Sequence, residues 1–550
     1  TSGNVRNRER HRSIRSYGSS NTPGHGTMPA PDPKGAVPGP CVFGAGRLLP
    51  LIDVIATECA GVRANNDIEH IHRMRVASRR LRAALPLFSS CFPEKDFRHW
   101  MHEIKKITRA LGEARDTDVQ IAFLKKYLKA RAVPVPTHPD DPIAALLSRL
   151  QKRRGILQQE VCSVLDELEK TQVLTGMRAA FPAPAPAGRG RRRERYFGIL
   201  PVAADRIGTR LAGLDRFEPF VHNPDAVFEH HAMRIAAKKL RYTLEIYAPL
   251  YRRGFEKPIA RVKSLQDLLG DIHDCDVWIE QMTLAIIKQR ARRHPKGGAE
   301  VSSVAPLRAL LINRERRRAR LYRQFVRYWD TLVRTGLRDE LRSAVLEGQK
   351  TAFCHCTSLS ANEEREAFVR LAGTVPGHVT HEITVAVLAL RLFDELSPLH
   401  GLGPRDRALL EYTATVHDIG WIAGQAGHQK RSAELILASG DLPVPVREQG
   451  IIALVAGLHG GNARCRPTGF WLLLSPADQK CVRSLAALLR VADGLDYLHA
   501  GNVSDLHCTI RETEVQCELI CTSDAATEKA RALKKSDLFA DVFKKTLVIP

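Results

Sequence analysis

The chain has 550 residues, of which 44% are hydrophobic and 26% charged, with a formal net charge of +23. That length can build more than one hydrophobic core, and that charge points away from basic partners and towards polyanions: nucleic acid, an anionic surface or inorganic polyphosphate. The excess of Lys and Arg falls within residues 51–350, while residues 351–550 are slightly acidic, so two chemistries are expected on one chain.

Residues 1–40 are rich in Arg, Gly, Ser and Pro without an apolar stretch, which predicts a disordered basic tail rather than a signal peptide. Beyond it the apolar residues recur with helical period. Pro-rich stretches break the pattern at 134–142 and 182–195, with further breaks at 294–306 and 354–361, since proline cannot continue a helix interior. Strand-like alternation occurs only over 505–521, predicting a hairpin around Glu512–Glu514, followed by a helix over 527–545 and a last strand at 547–549. The fold class predicted is mainly α with a small C-terminal β appendage. No run approaches the roughly 18 apolar residues of a membrane span, so no membrane partner is expected. The twelve cysteines form no CxxC pair and no zinc-finger spacing, and read as reduced thiols of a cytosolic protein.

The middle of the chain is duplicated. HRMRVASRRLR at 72–82 returns as HAMRIAAKKLR at 231–241, offset by 159, and LGEARDTDV at 111–119 returns as LGDIHDCDV at 269–277, offset by 158. Two matches at nearly one offset mark an internal repeat. At 100° per residue, His72, Arg75, Arg79 and Arg82 fall on one arc of a helix, and Met74, Ala77, Leu81, Leu85 and Phe88 on another. His231, Arg234, Lys238 and Arg241 repeat the basic arc, beside apolar Met233, Ile235 and Leu240. Like charges at helical spacing repel, and no acid sits at i±4 within the stripe, so an external anion would relieve it. Arg suits forked contacts to phosphate, and Lys acts as a point charge. Lys105 and Lys263 match across the repeat and join the candidate set. The acidic pair Asp116 and Asp118, matched by Asp274 and Asp276, is expected to cap or orient a neighbouring helix. The Arg-rich stretch 314–327 is expected to be a solvated face, the alternative being that it extends the basic set.

These paired motifs resemble both halves of the CHAD domain over residues 41–350. The resemblance implies a duplicated helical bundle with a basic central cavity that binds inorganic polyphosphate, lined by His72, Arg75, Arg79, Arg82, His231, Arg234, Lys238 and Arg241. The boundaries expected are repeat one at 41–181, a linker at 182–195, repeat two at 196–350, a second linker at 351–361, and a separate domain at 362–550.

That last domain carries histidines and aspartates inside apolar segments: His381, His417–Asp418, His428, His459 and Asp493. Imidazole and carboxylate together suit Mn, Fe or Zn, or Mg with waters, and a metal so held can polarise a phosphoryl oxygen and activate water. The ordered set resembles the HD phosphohydrolase superfamily. HDIGW, GHQKRSAELIL and LAALLRVADGLDYLH are closest to the C-terminal module of the exopolyphosphatase/guanosine-pentaphosphate phosphatase family, as is KKSDLFADVFKKTLVI. The resemblance implies an α-helical HD domain with metal ligands His381, His417, Asp418 and Asp493. It makes His428 and His459 catalytic contacts to substrate phosphate or ligands of a second metal. Arg431 stands where that module commonly has histidine, and Gly460 where arginine often follows His459; both departures count against a second metal. The Gly-rich phosphate loops of those phosphatases' N-terminal domain are missing.

Two functional readings follow and both stay open. One is a polyphosphate-binding protein with a divalent-metal-dependent phosphohydrolase domain acting on polyphosphate or a related phosphoanhydride, guanosine polyphosphates and nucleotides being further substrates. The other is a non-catalytic polyphosphate scaffold or granule-targeting protein. Nucleic acid is the weaker partner, because aromatic residues for base stacking are sparse around the stripes. A cytoplasmic location, at polyphosphate granules, is expected.

Overall fold

Helices dominate a computed structural model that describes residues 40–130, 141–181, 198–251, 254–291, 300–347, 360–374, 379–440, 442–460 and 469–550. The predicted tail up to residue 39, the linker at 182–195, residues 351–359 of the second linker and most of the proline-rich breaks lie outside the described residues. The first region runs α1 (Pro40–Ala64), α2 (Ile68–Ala84), α3 (Glu94–Ala130), α4 (Pro142–Lys170), α5 (Val173–Ala180), α6 (Ile199–Asp215), α7 (Val227–Tyr247), α8 (Glu256–Ala291), α9 (Glu300–Arg334) and α10 (Leu337–Leu346). The second runs α11 (Ala361–Ala372), α12 (Val379–Glu395), α13 (Ser397–His400), α14 (Pro404–Val416), α15 (His428–Ala438), α16 (Val446–Leu458), α17 (Pro476–Leu495), β1 (Val503–Ile510), β2 (Glu514–Cys521), α18 (Ala526–Lys534), α19 (Asp537–Phe543) and β3 (Thr546–Val548). The architecture is mainly α with a small sheet at the C-terminus, as the periodicity predicts.

The duplication is visible as paired helices. α2 begins where the Asp67 carboxylate accepts the Glu69 backbone N–H at 2.9 Å, a capping contact that satisfies a free helix-end donor. It buries Met74, Ala77 and Leu81, while Leu85 and Phe88 are buried in the 3₁₀ turn that follows. In the second copy Met233 and Leu240 are fully buried and Ile235 only partly. Each fully buried Leu or Met contributes about 1.5–3 kcal/mol of burial. Two long hairpins, α3/α4 and α8/α9, then meet across the repeat. Leu124 and Ile143 of the first pack with Trp278, Met282, Ile286, Leu307 and Leu310 of the second, and the rings of Phe123 and Trp278 lie 4.8 Å apart. The repeats share one core and are not independent bundles.

Four expectations need correction. The break at 294–306 is shorter than predicted, because α9 starts at Glu300 and runs through Pro306 at the cost of one backbone hydrogen bond. The helix expected over 527–545 is two helices, parted at Lys535 and Ser536. Helix α1 is long and apolar enough, by length and composition, to cross a membrane; here Leu48, Ile52 and Ile55 are fully buried in the bundle. Finally, Cys41 and Cys91 form a disulfide with Cα atoms 5.4 Å apart, tying the start of α1 to the turn after α2. Fifty residues of separation give no sequence pattern for such a pair. Cys59, Cys162, Cys275, Cys481, Cys508, Cys517 and Cys521 are free thiols.

The hairpin forms as predicted. β1 and β2 are antiparallel with Cys508 opposite Cys517 and Ile510 opposite Val515, and β3 adds in parallel to β2. Leu506, Cys508, Val515 and Cys517 face inward.

Helix α6 belongs to both regions. One side packs on α7, the other on the segment Gly469–Leu473 and on α15 and α16. A Cβ on Gly208 would lie 1.8 Å from the Gly469 carbonyl oxygen, so backbone meets backbone here and only glycine fits. The Phe470 N–H donates to Asp205 at 3.1 Å, and the Gly198 N–H to the Ala438 carbonyl at 2.5 Å.

Candidate functional site

Two sites emerge, one in each region. The first lies where α2 and α7 pack together and bring the duplicated stripes face to face. Burial lowers Lys238 first, and the facing Arg79, Arg234, Arg82 and Arg75 lower it further, to about 8. Those cations come from both copies, so the stripes converge on one cluster. Arg79 of the first copy and Arg241 of the second both lie over the ring of Tyr242, at 5.8 and 4.8 Å.

Partners within the protein relieve part of the repulsion. Arg75 donates to Asp116 on α3 at 2.8 Å. Arg241 donates to Gln266 at 3.0 Å and pairs with Glu245, four residues on, at 3.3 Å, so the expectation that no acid sits at i±4 fails at the end of the second stripe. Among the described residues Lys238 has no such carboxylate, and the Nε of Arg79 is buried without a hydrogen-bond acceptor. His72 is pushed down by burial, then by Arg115. His231 sits with its Nδ1 3.0 Å from that of His273, and burial holds His273 down to about 4. Arg82, Lys105 and Lys263 are exposed; the two lysines lie on the face of α3 and α8 that carries Gly112 and Gly270. Those glycines let a guanidinium approach, with Arg75 Nε at 4.0 Å and Arg234 Nε at 3.5 Å from the Cβ position.

Arg115 and His273 were missed by the sequence reading although they occupy matching positions of LGEARDTDV and LGDIHDCDV; the change of residue type hid the correspondence. The matched aspartates orient neighbouring helices, as expected: Asp118 holds Arg154 of α4 at 2.8 Å, and Asp276 holds Arg318 of α9. Arg314 lies over the Phe123 ring at 4.6 Å.

The second site is built at helix ends. His417 closes α14, Asp418 follows it, His428 opens α15, His459 closes α16, Asp493 lies in the last turns of α17, and His381 faces them from α12. Every side chain named in sequence comes to this cluster. His381, His417, Asp418, His459 and Asp493 are buried. Asp418 faces two ways. Its Oδ2 lies 4.0 Å from His381 Nε2 and 3.8 Å from His417 Nε2, and its Oδ1 3.2 Å from the Nε2 of both His428 and His459. Asp493 Oδ1 lies 3.6 and 3.9 Å from His381 and His417 Nε2.

The tautomers follow from the partners. The Nδ1–H of His417 donates to Ala414 O at 2.7 Å, that of His428 to Gln425 O at 2.8 Å, and that of His459 to Ala456 O at 2.6 Å. His381 Nδ1–H donates to the Asp496 carboxylate at 2.7 Å. A carbonyl can only accept, so in the neutral ring the inward Nε2 of His417, His428 and His459 carries a lone pair. Backbone or carboxylate support on the outer nitrogen is the usual way of aiming a metal-ligating imidazole. The inward atoms fit a cation. His381 Nε2 and His417 Nε2 are buried without a hydrogen-bond partner, and His428 and His459 Nε2 face each other at 3.0 Å. His381, His417 and Asp418 offer ligand atoms all within 4.8 Å of one another, as do Asp418, His428 and His459.

Burial opposes charge on His381, but Asp493 and Asp496 outweigh it and raise it to about 9. Burial lowers His417 to about 4. The surrounding imidazoles and Lys535 hold Asp418 and Asp493 below the usual carboxylate range despite burial. Four residues of the site were not read from sequence. Asp496 supports His381, and Lys535 pairs with Asp493. Buried Glu382 is raised to about 7 by burial and Asp418. His499, in a left-handed backbone conformation, stacks on His381 at 3.8 Å and 6°. Only Asp496 had a signal, an acid one turn after Asp493.

The two departures have local causes. Arg431 donates to the carbonyls of Gly420, Gly424 and Ala426, so its guanidinium is taken up by the loop that precedes α15. A Cβ on Gly460 would lie 2.3 Å from Gln429 Nε2, so a side chain there would displace Gln429.

Compared with known proteins, residues 47–283 match the CHAD domain family, a span that covers both copies of both duplicated motifs. Among solved structures, the crystal structure of the CHAD domain from the plant Ricinus communis is similar at 22% identity and a TM-score of 0.39, covering 54% of this chain and 91% of that one. No curated protein matches this chain.

Proposed function

We propose that this protein binds inorganic polyphosphate at the α2/α7 cluster and hydrolyses polyphosphate or a related phosphoanhydride at the His/Asp cluster, as an HD-type phosphohydrolase would. The observation that carries the first half is the convergence of two duplicated basic stripes on Lys238, with positive charge in excess of internal partners. The CHAD match over the same helices supports it. Arginines then contact successive phosphates in a sequence-independent, salt-sensitive way.

The second half rests on the buried, unpartnered Nε2 atoms. His381, His417, Asp418 and Asp493 would hold one divalent ion, with Asp418, His428 and His459 able to hold another. Such an ion would supply polarisation of a phosphoryl oxygen and bring water towards ionisation near neutral pH. Asp496 and the backbone carbonyls orient the imidazoles, Lys535 holds Asp493 as an anion, and His499 covers His381 from the solvent side. Binding by the basic cluster would raise the local concentration of chain at this site. A scaffold reading is favoured by one observation, the loss of the family's histidine at Arg431.

Competition tests the ligand: polyphosphate should displace a labelled polyanion far better than single-stranded DNA at equal phosphate, and equal displacement would reduce the site to a generic anion binder. Mn²⁺-dependent orthophosphate release that disappears in Asp418→Ala supports the hydrolase; metal binding without release leaves the scaffold.

A further inference from the structure

Arg490 is a charge inside a core. It lies on α17 one turn before Asp493, is 2% exposed, and stands in a stretch, residues 484–496, that is buried throughout. A cation so placed is tolerated only when its donors are taken up. Its guanidinium divides its fork among three other segments. Nε donates to the Lys535 carbonyl at 3.2 Å, Nη1 to the Leu458 carbonyl at 3.0 Å, and Nη2 to the Asp537 carboxylate at 2.6 Å. Leu458 ends α16 and Lys535 directly follows α18, so both carbonyls belong to helix ends, where no donor of the same helix reaches them. One guanidinium therefore closes two helices, each at the end where the dipole favours positive charge.

Each of those ends leads to a member of the His/Asp cluster. His459 follows Leu458 directly, and the Lys535 ammonium pairs with Asp493. Lys535 is thus held to α17 twice, by its carbonyl on Arg490 and by its ammonium on Asp493. A Cβ on Gly494 would lie 2.6 Å from Ala532 Cα, so α17 and α18 meet backbone to backbone beside this bracket. We propose that Arg490 is a positioning residue of the metal cluster, fixing His459 through the Leu458 carbonyl and Asp493 through Lys535. The inference rests on the cluster holding a divalent ion, as in the proposed function. Arg490 acts on that ion only through where these two ligands stand, and support of this kind typically sets about 10–100-fold in metal affinity. Lysine cannot replace it, because one ammonium nitrogen cannot span two carbonyls and a carboxylate on three segments.

A second arginine supplies the control. Arg447, near the start of α16, donates to Asp478 near the start of α17 at 3.0 Å, and so ties the same two helices at their other ends. The test measures Mn²⁺ affinity of the full chain by calorimetry, with melting temperature and polyphosphate affinity alongside. Arg490→Lys should bind Mn²⁺ about tenfold more weakly with polyphosphate affinity unchanged, whereas Arg447→Lys should lower the melting temperature and leave Mn²⁺ affinity as it is. Equal losses of Mn²⁺ affinity in the two variants, or none in Arg490→Lys, overturn the positioning role and spare the hydrolase reading. A wild type that takes no Mn²⁺ overturns both. If Arg490→Lys fails to fold, amide exchange in the wild type decides. Coupling is reciprocal, so Mn²⁺ should slow exchange at 533–538, which holds no ligand, more than at 476–480 where α17 starts. Equal protection of the two segments, or none at 533–538, contradicts the proposal.

Discussion

The α2/α7 cluster and the His/Asp cluster present opposite electrostatic problems. In the first, side chains from two copies of one motif bring cation against cation: Lys238 is lowered by burial and then by four arginines, and His72 by burial and Arg115. In the second, imidazoles and carboxylates alternate, so that Asp418 and Asp493 stay ionised although buried, while inward nitrogens lack partners. Excess donors call for an anion; excess lone pairs call for a cation. The sign of the missing ligand can be read from which kind of polar atom is left over.

The largest expected effect separates the two sites. Asp418→Ala removes the carboxylate shared by both histidine sets and should weaken Mn²⁺ binding by more than about 100-fold, measured by calorimetry, while polyphosphate affinity stays unchanged. A parallel loss of polyphosphate affinity would break the comparison. The converse variant, Arg79→Gln with Arg234→Gln, should weaken polyphosphate by about 10–100-fold for each arginine removed, since a hydrogen bond to a charged group contributes about 1.5–3 kcal/mol. Metal affinity should hold, and the salt dependence should become shallower. Asp496→Asn acts through His381 and should cost about tenfold in metal affinity, with a normal content of secondary structure by circular dichroism.

The smallest effect concerns pH. Free Lys238 loses its proton near pH 8, and a bound polyanion favours the charged amine, so binding takes up a proton above that pH. Polyphosphate affinity should therefore be flat below about pH 7.5 and fall through pH 8–9, by at most about tenfold per unit for one group. A binding curve that rises over that range would contradict the position given to Lys238.

How much of this was legible depended on whether the information repeats or is local. The duplicated helices could be read because their motifs recur at two nearly equal offsets, and the core positions Met74, Ala77 and Leu81 because helical period places them on one arc; Phe88 is buried from the turn beyond the helix. The His/Asp set could be read because its members are rare residues inside apolar segments. What escaped needed proximity that sequence does not encode: the Cys41–Cys91 disulfide, the Gly208–Gly469 contact that locks α6 between the regions, and the stack of His499 on His381. Lys535 lies forty-two residues from Asp493, and nothing local marks it as that carboxylate's partner. Arg115 and His273 share one position of the repeat but differ in residue type, so identity between the two copies does not mark them.

The account's central claim, that one chain holds a polyanion and cuts it at a separate metal cluster, is tested most directly by orthophosphate release from long-chain polyphosphate with Mn²⁺. The wild type is compared with Asp418→Ala and with the Arg79→Gln, Arg234→Gln pair. The account predicts release that is abolished in the first variant and retained in the second, with a raised KM and little change in kcat. Release that persists undiminished in Asp418→Ala, or kcat lost with the arginines while KM stays fixed, would contradict it.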